Sequence, residues 1–183
     1  MKILYLLRHA KSSWGDRGLA DHERPLNERG RKAAGVMGRY LKDLPTPPRL
    51  VLASTARRVS ETLALMLPEL TGDITLIRDR SLYLASPDQL LSRLREVSTN
   101  ADNLLILAHN PGIHDFALQL SGEVVGEKTG HEMRDRLKAG FPTAALAVIR
   151  FPAANSWRAV GYGQGRLEDF VTPRDAAARL LED

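Results

Sequence analysis

An apolar run, Ile3-Leu4-Tyr5-Leu6-Leu7, breaks off at Arg8-His9. Arginine is a permanently charged, planar fork of donors that matches phosphate and carboxylate. A neutral imidazole carries a ring nitrogen able to act as a nucleophile. The same arrangement recurs twice: Arg57-Arg58 comes soon after the apolar residues 50–53, and His109 directly follows the apolar residues 104–108. Cations and imidazoles set just beyond short apolar runs suit an anionic ligand. For a phosphoryl group the chemistry would be attack of His9 on phosphorus to give a phosphohistidine. Arg8, Arg58 and His109 would hold the phosphoryl oxygens and offset their charge. That scheme calls for no metal and no cofactor.

The apolar runs dictate the elements that carry these residues. Four to six consecutive apolar residues are too few for a core helix and read as buried strands. Between them lie stripes at three- and four-residue spacing, the mark of amphipathic helices. They comprise Ala33, Val36, Met37, Tyr40, Leu41 and Leu44; Val59, Leu63, Met66, Leu67 and Leu70; Leu90, Leu91, Leu94 and Val97; and Ile113, Phe116, Ala117 and Leu120. Asn27 and Ser86 stand as N-caps, with Pro87 at a first helical position. Alternating strands and helices predict a three-layer α/β/α sandwich with a mostly parallel central sheet. Right-handed crossovers then deliver the C-terminal strand ends to one edge, where α/β folds bind ligands. The helix starts near Val59 and Ile113 would add backbone N–H donors at that edge.

The remaining chain is read as one domain, 1–183. Residues 74–77 form a third short strand, and residues 144–150 and 156–162 suggest a hairpin. The charged, glycine-punctuated residues 121–142 read as a loop excursion near the active face, with a role as a lid left open. Thr172-Pro173 opens a tail helix within 172–183.

Composition removes several classes of function. There is no cysteine, so disulfides, thiolate metal sites and cysteine nucleophiles are excluded. The net charge is +4, which suits anionic substrates. The arginines are scattered and often sit beside acids, as in Glu23-Arg24, Glu28-Arg29 and Arg134-Asp135-Arg136, and the aromatics are not interleaved with them. That argues against nucleic acid. The N-terminal apolar core is short for a signal peptide, and no later run approaches a membrane span. A cytoplasmic monomer without membrane or nucleic-acid partners is expected. The histidines His9, His22, His109, His114 and His131 show no His-Glu-x-x-His pattern, so no metal site is expected.

These residues also carry a resemblance. Leu7-Arg8-His9-Ala10-Lys11-Ser12-Ser13-Trp14 resembles the Arg-His-Gly-type signature of the histidine phosphatase superfamily. With residues 21–30, Asp21-His22-Glu23-Arg24-Pro25-Leu26-Asn27-Glu28-Arg29-Gly30, it is similar to the SixA-type phosphohistidine phosphatases. Residues 54–62 resemble the second-arginine motif, Leu82-Tyr83-Leu84-Ala85-Ser86 the mid-chain segment, and Ala108-His109-Asn110-Pro111-Gly112 the second-histidine motif. The resemblance implies a phosphoglycerate mutase-like fold, with His9 as nucleophile and Arg8, Arg58 and His109 around the phosphoryl group. Its pattern sets the arginine four residues before a threonine, so Thr62 selects Arg58 over Arg57.

Two departures stand out. Ala10 occupies a position where glycine is commoner, and residues 82–86 hold no acid to protonate a leaving group. Asp21, Glu23, Asp16 and Asp88 are candidate acids, with Asp21 best placed, as an acid or at the rim. A missing strong acid disfavours alkoxide leaving groups and favours the less basic ring nitrogen of a protein phosphohistidine. A phosphohistidine phosphatase acting on a phosphorylated protein is therefore expected. The alternatives are the same chemistry on a small phosphoester or nucleotide, and a non-catalytic phosphate-binding module.

Overall fold

The apolar runs form strands because five or six consecutive buried residues can be covered on both faces only inside a sheet flanked by helices. In the computed structural model, which describes residues 1–15, 18–98, 100–122 and 128–182, these are β1 (Lys2–Arg8), β2 (Leu50–Ser54), β3 (Thr75–Asp79), β4 (Asn103–Ala108), β5 (Leu146–Phe151) and β6 (Arg166–Val171). They make one six-stranded sheet in the order β3-β2-β4-β1-β5-β6. The pairs β3–β2, β2–β4 and β4–β1 are parallel, while β5 is antiparallel to both β1 and β6. Only β5 therefore runs against the rest, and the sheet is mostly parallel as expected.

The helices are α1 (Glu28–Lys42), α2 (Arg57–Met66), α3 (Pro87–Arg95), α4 (Gly112–Leu120), α5 (Lys128–Ala139) and α6 (Pro173–Arg179). Successive strand side chains point to opposite faces, and β1 divides its residues accordingly. Ile3, Tyr5 and Leu7 pack into the core shared with α1, α2 and α6, whereas Leu4 and Leu6 join the core shared with α3 and α4. The expected caps form. Asn27 accepts from the Gly30 N–H at 2.8 Å, and Ser86 and Gln89 make a reciprocal capping box at the start of α3.

Three elements differ from the sequence reading. Residues 156–162 form no strand; a single 3-10 turn covers Trp157–Ala159, and the partner of β5 is β6. The sequence RLEDFV of β6 holds two adjacent acids, which hides its period. Asp169 accepts from Tyr40 and Arg179 and Glu168 pairs with Arg150, so both carboxylates are satisfied inside the strand. Within 121–142, residues 123–127 lie outside the described residues, but Lys128–Ala139 is the helix α5 rather than a loop excursion. Met133, Leu137 and Phe141 recur every four residues and turn a narrow apolar stripe onto the body. Arg134 donates to the carbonyls of Ser121 and Gly122, and His114 bonds the Leu137 carbonyl at 2.7 Å. No described helix is long and apolar enough to cross a membrane.

Candidate active site

Parallel register assembles the site. Arg8 on β1 lies opposite Ala108 on β4, so the next residues, His9 and His109, leave adjacent strand tips together. The His9 N–H donates to the Ala108 carbonyl at 3.1 Å, and the two imidazole centroids are 5.1 Å apart. The next strand, β2, ends at Ser54, and α2 begins at Arg57. Arg58 thus enters from the first turn of a helix, against histidines that enter from strands.

The four residues expected from sequence meet here. Arg58 is the hub: its Nε donates to His9 Nε2 at 3.3 Å, and its Nη2 lies 3.2 Å from His109 Nδ1. Arg8 donates to the Phe141 carbonyl at 2.9 Å and lines the same cavity. Arg57, one residue away, is exposed and pairs with Glu61 on its own helix at 2.8 Å. Thr62 explains why the arginine stands four residues before a threonine. Its hydroxyl donates to the Arg58 carbonyl at 2.7 Å and accepts from the Ala10 N–H at 3.1 Å, tying α2 to the tip of β1.

A guanidinium can only donate, and that fixes both imidazoles. His9 must present a lone pair at Nε2, leaving its Nδ1–H for the Ala10 carbonyl at 2.7 Å. His109 must present a lone pair at Nδ1, leaving its Nε2–H for the Ser54 hydroxyl at 2.7 Å. Electrostatics agrees. Burial lowers the His9 pKa to about 4, and nearby arginines add to the effect. Burial, then His9 and Arg58, lower that of His109 to about 3. Both rings are neutral at pH 7, and a neutral ring nitrogen is the nucleophilic form.

Asp21 stands beside the cage. Its carboxylate accepts from Tyr83 at 2.5 Å, Arg24 at 2.8 Å and Arg58 at 3.0 Å, and its carbonyl accepts from Arg58 at 2.6 Å. The Tyr83 hydroxyl, followed by the charge of Arg58, holds its pKa down to about 2 against the opposing effect of burial. With that carboxylate committed to Tyr83, Arg24 and Arg58, Asp21 holds the hub arginine in place from the rim of the cage. Among the other candidate acids, Glu23 pairs with His22, Asp88 accepts from Tyr162, and Asp16 lies outside the described residues.

The helix starts contribute less than expected. The Ile113 N–H is taken by the His109 carbonyl and the Val59 N–H by the Ala56 carbonyl. Ser54, Tyr83, Arg24 and the Ala10 carbonyl were missed as site residues in the sequence. Ser54 had a signal, since it ends an apolar run as Arg8 does; Ala10, Arg24 and Tyr83 lie in the motif segments 7–14, 21–30 and 82–86, and tertiary packing gives them their contacts in the site.

The cavity measures about 280 Å³ and is lined by Arg8, His9, Arg58 and His109 at its floor, with Lys11, Trp14 and Leu84 further out. No aspartate or glutamate lines it among the described residues. A small, cationic, open pocket whose His9 Nε2 lone pair is engaged only by the Arg58 guanidinium can bind a phosphoryl group and be phosphorylated by it once Arg58 turns to the phosphoryl oxygens. A family model for the histidine phosphatase superfamily (branch 1) matches residues 4–82. An uncharacterized protein of Mycobacterium tuberculosis is 36% identical over 169 residues, spanning 92% of this chain and 100% of its own. The chain belongs to the histidine phosphatase superfamily. Among solved histidine phosphatase structures, SixA from Agrobacterium tumefaciens superposes with a TM-score of 0.75 at 29% identity, covering 94% of this chain and 98% of that one. The protein histidine phosphatase SixA complexed with tungstate gives 0.71 at 18% identity, covering 94% and 97%, a likeness of fold. The chain is thus a SixA-type histidine phosphatase, with the phosphoglycerate mutase-like fold and phosphatase activity.

Proposed function

We propose that this phosphatase removes the phosphoryl group from a protein phosphohistidine, through a phosphohistidine formed on His9 and without a metal. The reading is carried by one observation: the pocket offers a nucleophilic lone pair at His9 Nε2 but no protonated carboxyl to an alkoxide leaving group. An alkoxide needs a proton in the transition state, and general acid catalysis contributes roughly 10²–10⁴-fold. A phosphorylated imidazole whose second nitrogen carries a proton leaves as a neutral ring and needs no such help.

In the first step Nε2 of His9 attacks phosphorus, the substrate P–N bond breaks, and its electron pair stays on the departing ring nitrogen. Arg58 turns its N–H groups from the imidazoles to the phosphoryl oxygens, and Arg8 adds its own donors. Phospho-His9 keeps Nδ1–H on the Ala10 carbonyl, so the phosphorylated ring is cationic. In the second step water attacks phosphorus and the pair of the P–Nε2 bond returns to Nε2. One water proton remains in the new P–OH and the other passes to a phosphoryl oxygen, releasing dihydrogen phosphate. The cationic ring again departs neutral, which makes the hydrolysis facile.

The test is a panel of a phosphohistidine peptide, nucleotides and sugar phosphates, with rapid-quench labelling of the enzyme. The expected result is turnover of the phosphohistidine peptide with an acid-labile burst on protein that His9→Ala abolishes. Rapid hydrolysis of phosphoesters with none of phosphohistidine would transfer the reading to a small phosphoester or nucleotide.

A further inference from the structure

We infer that Trp14 and Leu84 form an apolar clamp at the mouth of the pocket that docks the polypeptide flanking the phosphorylated histidine. This rests on the phosphohistidine reading above and names the residues that select a protein over a small substrate. Both side chains line the cavity that holds His9. His9 is 7% exposed, whereas Trp14 is 76% and Leu84 53% exposed. The site therefore has a buried cationic floor and an apolar rim in solvent.

Neither rim residue is loose. The Trp14 ring lies over the Arg24 guanidinium, with the guanidinium carbon 3.2 Å from the ring centroid. Arg24 is itself buried and fixed by the Ser13 carbonyl, the Ser12 hydroxyl and Asp21. One face of the indole is thus stacked on an anchored cation, and the rest stays available as a rigid contact surface that binds at small entropic cost. Leu84 has φ 51°, a left-handed backbone that a leucine adopts only at a steric penalty and glycine adopts freely. Its neighbours hold it there. The Tyr83 hydroxyl is committed to Asp21, and the Ala85 carbonyl packs under Gly112, where a Cβ would come within 1.8 Å. An exposed leucine in a strained conformation gives the fold nothing that glycine would not give better. Strain of this kind is kept where a side chain must be aimed.

The two chemistries together define the occupant. The floor takes a dianionic tip; the rim takes apolar surface beside it. Free phosphate esters and nucleotides carry polar, hydrated groups next to phosphorus. A phosphorylated side chain on a protein carries its own ring and the apolar flanks of neighbouring residues, and Lys11 at the mouth tolerates an acidic fringe. The clamp thus fits a polypeptide segment with apolar side chains next to the phosphohistidine.

The experiment compares a histidine-phosphorylated folded protein with free phosphohistidine, which has the same P–N bond and no flanking chain. Wild type, Trp14→Ala and Leu84→Gly are assayed on both. The ratio of KM for the protein substrate to KM for free phosphohistidine should rise at least tenfold in each variant. Leu84→Gly should also melt at or above the wild-type temperature, because it relieves the φ 51° backbone; a purely structural role would lower it. Equal losses on both substrates, or no loss on either, would overturn the clamp while leaving the phosphohistidine reading intact. Failure of wild type to cleave either phosphohistidine substrate would overturn that reading, and the clamp with it.

Discussion

Arg58 and His9 fix each other. The guanidinium Nε sits 3.3 Å from the imidazole Nε2, so the reactive lone pair is aimed by a group that can never accept a proton. The same arginine is held from behind by Asp21, through a carboxylate at 3.0 Å and a carbonyl at 2.6 Å. Asp21 to Arg58 to the two imidazoles is thus one chain of charge-assisted contacts.

Arg58→Ala should lower kcat by about 10²–10³-fold, the typical cost of removing a donor aimed at developing charge. Arg57→Ala, which loses only an exposed i,i+4 pair with Glu61, should stay within a few-fold. Steady-state kinetics of the two variants checks the pair. Similar losses would mean that the buried cation is not the one that meets the phosphoryl group.

Asp21→Asn should weaken the hold on Arg58 and reduce kcat without moving the alkaline side of the pH profile, since the native carboxyl titrates near 2. Were Asp21 the general acid, the substitution would abolish an alkaline limb between pH 5 and 9. Profiles of kcat for both proteins distinguish the roles.

The acid limb of kcat/KM should fall near pH 4, not near 6.5, because burial keeps His9 neutral down to about 4. Phosphoenzyme formation measured by rapid quench from pH 7 to pH 4 gives the limb. Stability follows the same groups with a definite sign. The folded pKa values of His9 and His109, about 4 and about 3, lie below the unfolded value. The unfolded chain therefore takes up protons below pH 6.5 that the folded chain refuses, and stability falls as pH drops from 6.5 toward 3. The double variant His9→Gln/His109→Gln should flatten the dependence of the urea midpoint on pH across that window.

Thr62→Val should cost about 1–3 kcal/mol, the penalty for leaving the buried Ala10 N–H without its acceptor, and should lower activity by loosening Arg58. Urea unfolding and kcat together test it; a neutral result in both would remove Thr62 from the scaffold.

Two glycines should respond in opposite directions to alanine. Gly112 starts α4 with the space for a Cβ filled by the Ala85 carbonyl at 1.8 Å, so Gly112→Ala should destabilise by roughly 1–3 kcal/mol. Gly35 lies inside α1 with only the end of Arg39 nearby, at 3.9 Å, so Gly35→Ala should stabilise by about 0.5–1 kcal/mol. Thermal melts of the two variants decide both.

The sequence by itself determined which elements exist along most of the chain, because strands covered on both faces read as unbroken apolar runs and helices as stripes. It also brought Arg8, His9, Arg58 and His109 toward one edge, since right-handed crossovers leave parallel strand ends little choice. It failed at β6, where two paired carboxylates hide the period, and at α5, where a narrow stripe sits among charges. Only the tertiary structure decided the states of the side chains. Which imidazole nitrogen carries the lone pair depends on a guanidinium 49 positions away at His9 and 51 positions away at His109. Whether Asp21 is an acid or a clamp depends on Tyr83, 62 positions away. Protonation and tautomer answer to distances of a few ångströms between residues far apart in sequence, and local pattern carries no record of those distances.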